Sequence, residues 1–564
     1  MPPNRTHRRP WLVVLPLGFL ALFFYLPLLG LLKESLFTAG DSSPLVTTLK
    51  DPYFWHLLRL TVKQASLSAL ASAVIGLPLG YILANHRLPM PRLWRALTVV
   101  PFVLPAIVVA LGFILFFGHN GYFNRALMAL FGVRLPLLYS FQGIILAHAF
   151  YNAPIVARTT AVAWEALDPA LEQGARALGA SPWTTFRKVT WPMIWPATAS
   201  GALLAFIFSF FSFPLVLTLG GARYATLEVE VYTQVRVLLD NTTGAAFALF
   251  ETLASLSLTY LYLRVETRNR SQYGSYARKR QHRPLFGRSW AGNILLVIYL
   301  LFLALLYGGP IGAVVYDSLV GENDKLSLEA YAFVLKWDHA AQIGHSPLGA
   351  VVNTLRFAFS SMLLAVFLGT ALAVSLPRLS RRGAQLWETL AMAPLAVSSV
   401  AFGYAMLRAY RLGVLRYLSL GPTGAIIAAH VVLGLPFALR VLRPHFQSFD
   451  YRLVQAARSL GASPRDVFFR VTLPLSSAAL LVAAAFSFSI SVSEMSATIM
   501  LAQPGFSTMP LTIYHLVSAR EFSAAAAMAV LLMWVMTLVF AIMEAAGQYL
   551  ISLRIGGDHH VSEL

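Results

Sequence analysis

Few residues in this chain have the type and placement to do chemistry. Glu494, in the stretch SISVSEMSATIM, falls within or at the edge of an apolar run. An ionisable group at such depth is costly and is a functional candidate by default. Its carboxylate suits a cationic solute; the competing role is a helix-end Glu that faces water or a basic partner. His148 and His430 also lie in apolar runs. Neither has a second His or a carboxylate at i+3 or i+4, so an interhelical hydrogen bond is favoured over metal ligation for both. The aromatic run Phe206, Phe208, Phe210, Phe211 and Phe213 could stack on a solute, although packing or lipid contact is favoured at this density. Ser212, inside that run, completes the set of solute-path candidates with Glu494, His148 and His430. The sequence has no H-E-x-x-H, no clustered Asp/His set and no G-x-x-x-x-G-K-[ST] phosphate loop. It has no cysteine, hence no disulfide and no thiolate metal site. No catalytic residue, metal or cofactor is expected within this chain.

The elements that must position these residues follow from composition. Of 564 residues, 57% are hydrophobic and 12% charged. A soluble protein carries about 25% charge, so a soluble enzyme, a DNA-binding protein and a disordered tail are excluded. The net charge of +19 would suggest nucleic acid in a soluble protein. In a chain this apolar it reads as Lys and Arg held on the cytoplasmic side of a bilayer, with no nucleic-acid partner. A span needs about 20 apolar residues. Runs near 11–32, 57–84, 96–117, 138–160, 196–218 and 243–263, then 290–316, 350–376, 388–410, 423–443, 478–500 and 524–550, predict an all-α polytopic membrane protein of about twelve transmembrane helices. The count depends most on 138–160, which contains His148 and Asn152, and on the weakly bounded 388–410. The first run follows Arg5, Arg8 and Arg9 and reads as a retained helix.

With both termini cytoplasmic, Arg87, Arg92 and Arg95 fall inside, as do the eight Lys/Arg of 264–288, which face Glu266 alone. The opposite loop 317–349 carries Asp317, Glu322, Asp324, Glu329 and Asp338 against two Lys. This satisfies the positive-inside rule. Residues 265–289, polar and without apolar period, form a basic linker between a first half, 1–264, and a second half, 290–564.

The two halves repeat one another. PALEQGARALGASPWTTFRKVTWP (169–192) and YRLVQAARSLGASPRDVFFRVTLP (451–474) agree at thirteen of 24 positions without a gap, at an offset of 282. The same offset carries His148 onto His430, Pro154 onto Pro436 and Arg158 onto Arg440. Duplication of a six-helix unit follows, with the copies parallel in the membrane. Asp168 and Asp450 stand where N-caps would, with Pro169 at the first helical position of the first copy. Leu171, Ala175 and Leu178, and likewise Leu453, Ala457 and Leu460, form an apolar stripe. Gly179 and Gly461 end each helix, and Ser181-Pro182 and Ser463-Pro464 start the next. A helix of about ten residues is marginal alone in water. Two matched copies predict a docking surface for a two-fold partner; the competing role is a helix lying on lipid.

This segment resembles the EAA loop of permeases of binding-protein-dependent ATP-binding-cassette importers, whose pattern is EAA, three residues, Gly, nine residues, then I-x-L-P. Gln173-Gly174-Ala175, Gly179, Val189 and Pro192 fall on those places in the loop 165–192. Gln455-Ala456-Ala457, Gly461, Val471, Leu473 and Pro474 do so in the loop 447–474. Both copies carry Gln for the leading Glu, and the first has Gly174 for Ala and Trp191 for Leu. The fused two-half layout is similar to the ferric-iron and thiamine permease group, with residues 139–158 and 217–232 most similar to thiamine-transport permeases. The resemblance implies a type I importer transmembrane fold in a bacterial or archaeal plasma membrane. It also implies two copies of a separate ATPase subunit that bind ATP and receive the two EAA helices, and an extracytoplasmic binding protein that delivers thiamine or ferric iron. An ion-coupled secondary transporter is the alternative; it would need several intramembrane titratable groups, and Glu494 is nearly alone.

Overall fold

The structure is a computed structural model that describes residues 11–37, 43–90, 94, 98, 104–270, 282–287, 289–321, 325–338, 340–341, 343–503 and 505–558. Arg5, Arg8, Arg9, Arg92 and Arg95, the linker residues Arg278, Lys279, Arg280 and Arg288, and Glu322 and Asp324 of the acidic loop lie outside the described residues.

The chain is helical almost throughout. Among the described residues, ten helices are long and apolar enough to cross a membrane. There are eleven if Arg382–Ala396 and Ser399–Arg411, bent through 101°, form one span. That bent pair occupies the run 388–410. Its break is a turn at Ala393–Ala396, after which Ser398 caps the next helix by accepting from the Ala401 N–H at 3.2 Å. The run 138–160 is the helix Phe141–Glu165, which is not among the ten. His148, Asn152 and Arg158 dilute its apolar character, and it is deeply buried instead.

Each sequence half builds the same core of three helices. In the first, α1 (Pro52–Asn85) packs on α2 (Phe141–Glu165); the short α3 (Pro169–Ala177) then precedes α4 (Trp191–Phe210), which packs on both. The short α5 (Leu227–Tyr232) follows. In the second, α6 (Pro347–Ser375) packs on α7 (Gly421–Gln447), the short α8 (Tyr451–Ser459) follows, and α9 (Leu473–Ser493) closes the trio. The short helices α10 (Ser496–Leu501) and α11 (Met509–Ser518) come next. The α1–α2 contact is close because Gly76 and Gly80 lack a side chain. A Cβ there would stand 2.5 Å from the Ala153 carbonyl oxygen and 2.8 Å from that of Ala157. Gly369 meets α7 at Ala438 and Leu439, which stand 282 residues beyond Val156 and Ala157 of α2, both against Gly76.

Among the described residues five π turns interrupt the helices: Ala21–Tyr25, Phe186–Thr190, Thr233–Val237, Ala304–Gly308 and Val467–Thr472. Four of them, all but Thr233–Val237, are followed two residues later by a proline: Pro27, Pro192, Pro310 and Pro474. Proline has no N–H, and its ring crowds the carbonyl four residues back. The helix relieves this by widening one turn, so the Trp191 N–H reaches the Phe186 carbonyl and the Leu473 N–H reaches that of Phe468.

The described helices form two compact units that cross the sequence halves. One takes Met1–Glu34, Val334–Thr512 and Met528–Leu564; the other takes Ser35–Phe333 and Ile513–Ala527. Within the first, Tyr25 donates to the Leu390 carbonyl at 2.9 Å, and Arg408 forms a two-pronged ion pair with Glu34. Within the second, Tyr299 donates to the Ile75 carbonyl at 2.6 Å and Tyr122 to Asp317 Oδ1 at 2.9 Å. The leading helix of each half thus belongs to the unit built mainly on the other. In the second unit, the described end of the linker at Arg283–Pro284 pairs in parallel with His86–Arg87.

Candidate functional site

The two repeated helices α3 and α8 are built by the same local devices. Asp168 Oδ1 accepts from the Ala170 N–H at 2.9 Å, and Asp450 Oδ1 from the Arg452 N–H at 3.0 Å. Each carboxylate satisfies an orphan donor and lies at the positive end of the helix dipole. At the other end the Gly179 N–H reaches the Arg176 carbonyl at 3.0 Å and the Ala180 N–H reaches that of Ala175 at 3.1 Å. In α8 the Gly461 N–H reaches Arg458 and the Ala462 N–H reaches Ala457, both at 3.0 Å. This is the paired closure of a Schellman motif, which needs a left-handed residue at the corner. Ser181 and Ser463 then cap the next turn by accepting from the N–H groups of Thr184 and Asp466.

No residue of α3 or α8 is buried. Leu178 is 90% exposed and Leu460 89%, although full burial of such a side chain is worth about 1.5–3 kcal/mol. Leu171 and Leu453 are exposed as well, while Ala175 and Ala457 are half-buried. Gln173, Gly174, Gln455 and Ala456 all face outward. Pro192 and Pro474 lie where each π turn passes into α4 and α9, so the loops join their spans through the same widened turn.

The copies differ in how they are braced. Thr190, buried at the end of its π turn, donates to Glu172 Oε1 in α3 at 2.8 Å. The equivalent residues of the second copy are Thr472 and Val454, and valine cannot accept. Beyond the second corner, Ser463 donates to Asp466 Oδ2 at 2.5 Å, and Arg470 lies 3.5 Å from Asp466 Oδ1. The Ser463 hydroxyl holds the Asp466 carboxyl below its ordinary pKa against an opposing desolvation, and the Arg470 charge lowers it further. Thr184 stands in that place in the first copy, so no carboxylate is present there.

The solute-path candidates separate into two pairs. Ser212 and Glu494 are 282 residues apart and mark the same event: α4 ends at Phe210 with a new helix from Pro214, and α9 ends at Ser493 with α10 from Ser496. Both are half-buried. Glu494 Oε1 accepts from the Ala497 N–H at 2.8 Å, so the carboxylate caps α10. His148 and His430 are buried interhelical residues with different partners. His430 bonds through Nδ1 to Ser491 Oγ at 2.7 Å and through Nε2 to Thr498 Oγ1 at 2.9 Å, tying α7 to α9 and α10. His148 Nδ1 lies 2.6 Å from Gln64 Nε2 and 3.3 Å from Ser68 Oγ, tying α2 to α1. Among the described residues no group of three or more His, Asp or Glu could hold a metal. Phe210 and Phe213 are buried while Phe208 is exposed, so the aromatic run does not form one face.

One matched pair escapes a reading based on a single offset. Buried Thr61 in α1 accepts from the Leu227 N–H at 3.1 Å, opening α5, and buried Thr354 in α6 accepts from the Met509 N–H at 2.7 Å, opening α11. The sequence separations are 166 and 155. The offset therefore shifts from 293 at the threonines to 282 at their partners. Aligning Gly76 with Gly369 would have exposed this relation.

Comparison with known proteins places these features. The family described as binding-protein-dependent transport system inner membrane component matches residues 76–271 and 357–547. The thiamine transport system permease protein ThiP of Brucella suis biovar 1 is 28% identical over 527 residues, covering 90% of this chain and 91% of its own. The protein of that name from Escherichia coli K12 is 27% identical over 507 residues, 88% of this chain and 90% of its own. The putative ferric transport system permease protein FbpB 1 of Haemophilus influenzae is 26% identical over 510 residues, 86% of this chain and 76% of its own. Each matched stretch carries one capped helix with its glycine corner and π turn, and the chain belongs to the family of binding-protein-dependent transport system inner membrane components.

Proposed function

We propose that this permease moves thiamine or ferric ion across the membrane by alternating access, driven by two ATPase subunits that grip α3 and α8. The observation that carries this reading is the matched pair of outward leucines, Leu178 and Leu460, at the C-terminal caps of helices that bury nothing within their own chain. Such a stripe is stable when a partner groove covers it, and two copies suit a two-fold partner. Closure of the ATPase pair would draw the helices together, and the π turns at Pro192 and Pro474 would pass that displacement into α4 and α9. The change is a rigid-body movement of packed helices. Both termini and both docking helices lie on the cytoplasmic side, as the basic loops require, and a binding protein delivers solute to the opposite mouth.

The choice of solute rests on the relatives named for thiamine and ferric transport. Glu494, at the break between α9 and α10, is the ionisable group offered to a cation. Ser212 marks the equivalent break in the first half, and His148 and His430 brace the helices beside the path. The test is reconstitution with the partner ATPase and binding protein in vesicles, with uptake of labelled thiamine and of labelled iron measured separately. ATP-dependent uptake of one supports the reading. Uptake by the purified chain with no ATPase present overturns it.

A further inference from the structure

Helix α3 has nine residues and is too short to hold its shape alone in water. Its covalent path to α4 runs through the left-handed glycine corner at Gly179. The bond from Thr190 to Glu172 bypasses that corner, joining the first turn of the helix to a residue 18 positions on. Thr190 is buried at the base of the span, so the bond anchors an exposed helix to a fixed point. The second copy lacks the acceptor: Val454 replaces Glu172, and the nearby carboxylates are engaged elsewhere, Asp450 by the Arg452 N–H it caps and Asp466 beyond the corner by Ser463 and Arg470.

We propose that Glu172 is a positioning residue that makes the first docking helix a stiff lever, while the second, where Val454 offers Thr472 no acceptor, yields as its partner moves. The two ATPase contacts of this chain are then mechanically unequal although their sequences are matched. The inference rests on the docking role of α3 and α8, and its test separates the two.

Hydrogen exchange on the full chain in a lipid nanodisc, without partners, compares residues 169–177 with 451–459. The expected result is slower exchange in the first, by about tenfold. Glu172→Val removes the difference, and Glu172→Gln, which keeps an acceptor for Thr190, preserves it. Val454→Glu slows exchange in the second helix if Thr472 takes up the new acceptor. In the complex with ATPase and binding protein, Glu172→Val lowers the thiamine or iron moved per ATP hydrolysed, whichever the complex transports, while ATP hydrolysis persists, and Glu172→Gln restores the ratio. Equal exchange in the two helices, or a Glu172→Val complex with an unchanged ratio, overturns the proposal. Gly179→Trp is the control for the docking role itself: if it transports normally, that role fails whatever the exchange shows.

Discussion

Gly179 and Gly461 turn the chain at the same left-handed corner, with φ of +86° and +83°, 282 residues apart. A Cβ at either would meet nothing within 4 Å. Only backbone strain, on the order of 1–2 kcal/mol, opposes a side chain there. Replacing both with Val is expected to leave the membrane core folded while redirecting Ala180 and Ala462 and the turns beyond. Solute uptake should fall sharply with the thermal midpoint nearly unchanged. Uptake at the wild-type rate would show that the corner does not set the direction of the helices.

Gly174 gives the opposite expectation. It lies inside α3, faces open space and is not at positive φ. Gly in a helix interior costs about 0.5–1 kcal/mol relative to Ala. Gly174→Ala, which copies Ala456, should slow hydrogen exchange in residues 169–177 and leave uptake intact. Faster exchange would contradict the helical assignment.

Thr61 and Thr354 each hold a buried backbone N–H. Thr→Val keeps the shape and removes the acceptor, leaving an unsatisfied donor that costs about 1–3 kcal/mol. Either variant should lower the thermal midpoint in detergent, and Thr→Ser should recover most of the loss. A midpoint unmoved by Thr61→Val would mean that the Leu227 N–H finds another partner.

Arg408 reaches Glu34 through both Nε and a terminal nitrogen. The pair ties the leading helix to the compact unit built on the second half. A hydrogen bond to a charged group contributes about 1.5–3 kcal/mol, and the partial exposure of both side chains places this pair at the lower end. Glu34→Gln should lower the midpoint and raise protease sensitivity within residues 13–36. Unchanged digestion there would argue against the pair as a tether.

Asp466 predicts a dependence on pH confined to the second copy. Its carboxyl is held below the ordinary value first by the Ser463 hydroxyl and then by Arg470. A depressed folded-state pKa contributes stability above the unfolded pKa and loses it as pH falls through the folded value. Exchange in residues 463–472, corrected for the chemical rate, should rise on acidification below the ordinary carboxylate range, and Asp466→Asn should abolish that rise. Residues 181–190, with Thr184 in that place, should show none. An equal response in both copies would assign the effect elsewhere.

Composition alone determined that the chain lives in a bilayer, and one ungapped repeat determined that it has two like halves. The caps at Asp168 and Asp450 and the corners at Gly179 and Gly461 were legible because they act between residues a few positions apart, where spacing is geometry. The count of spans was less so: Phe141–Glu165 is deeply buried yet too polar to pass for a span by hydropathy, and 388–410 bends. Other features depend on which helices meet. Tertiary structure alone decided that each leading helix joins the unit built mainly on the other half. It also decided that Glu494 caps a broken helix and that His148 and His430 take different partners. It set Thr61 and Thr354 on backbone donors 166 and 155 residues away, and let Thr190 reach Glu172. These contacts follow from close packing of distant segments, and spacing along the chain does not encode which buried donor will face which acceptor.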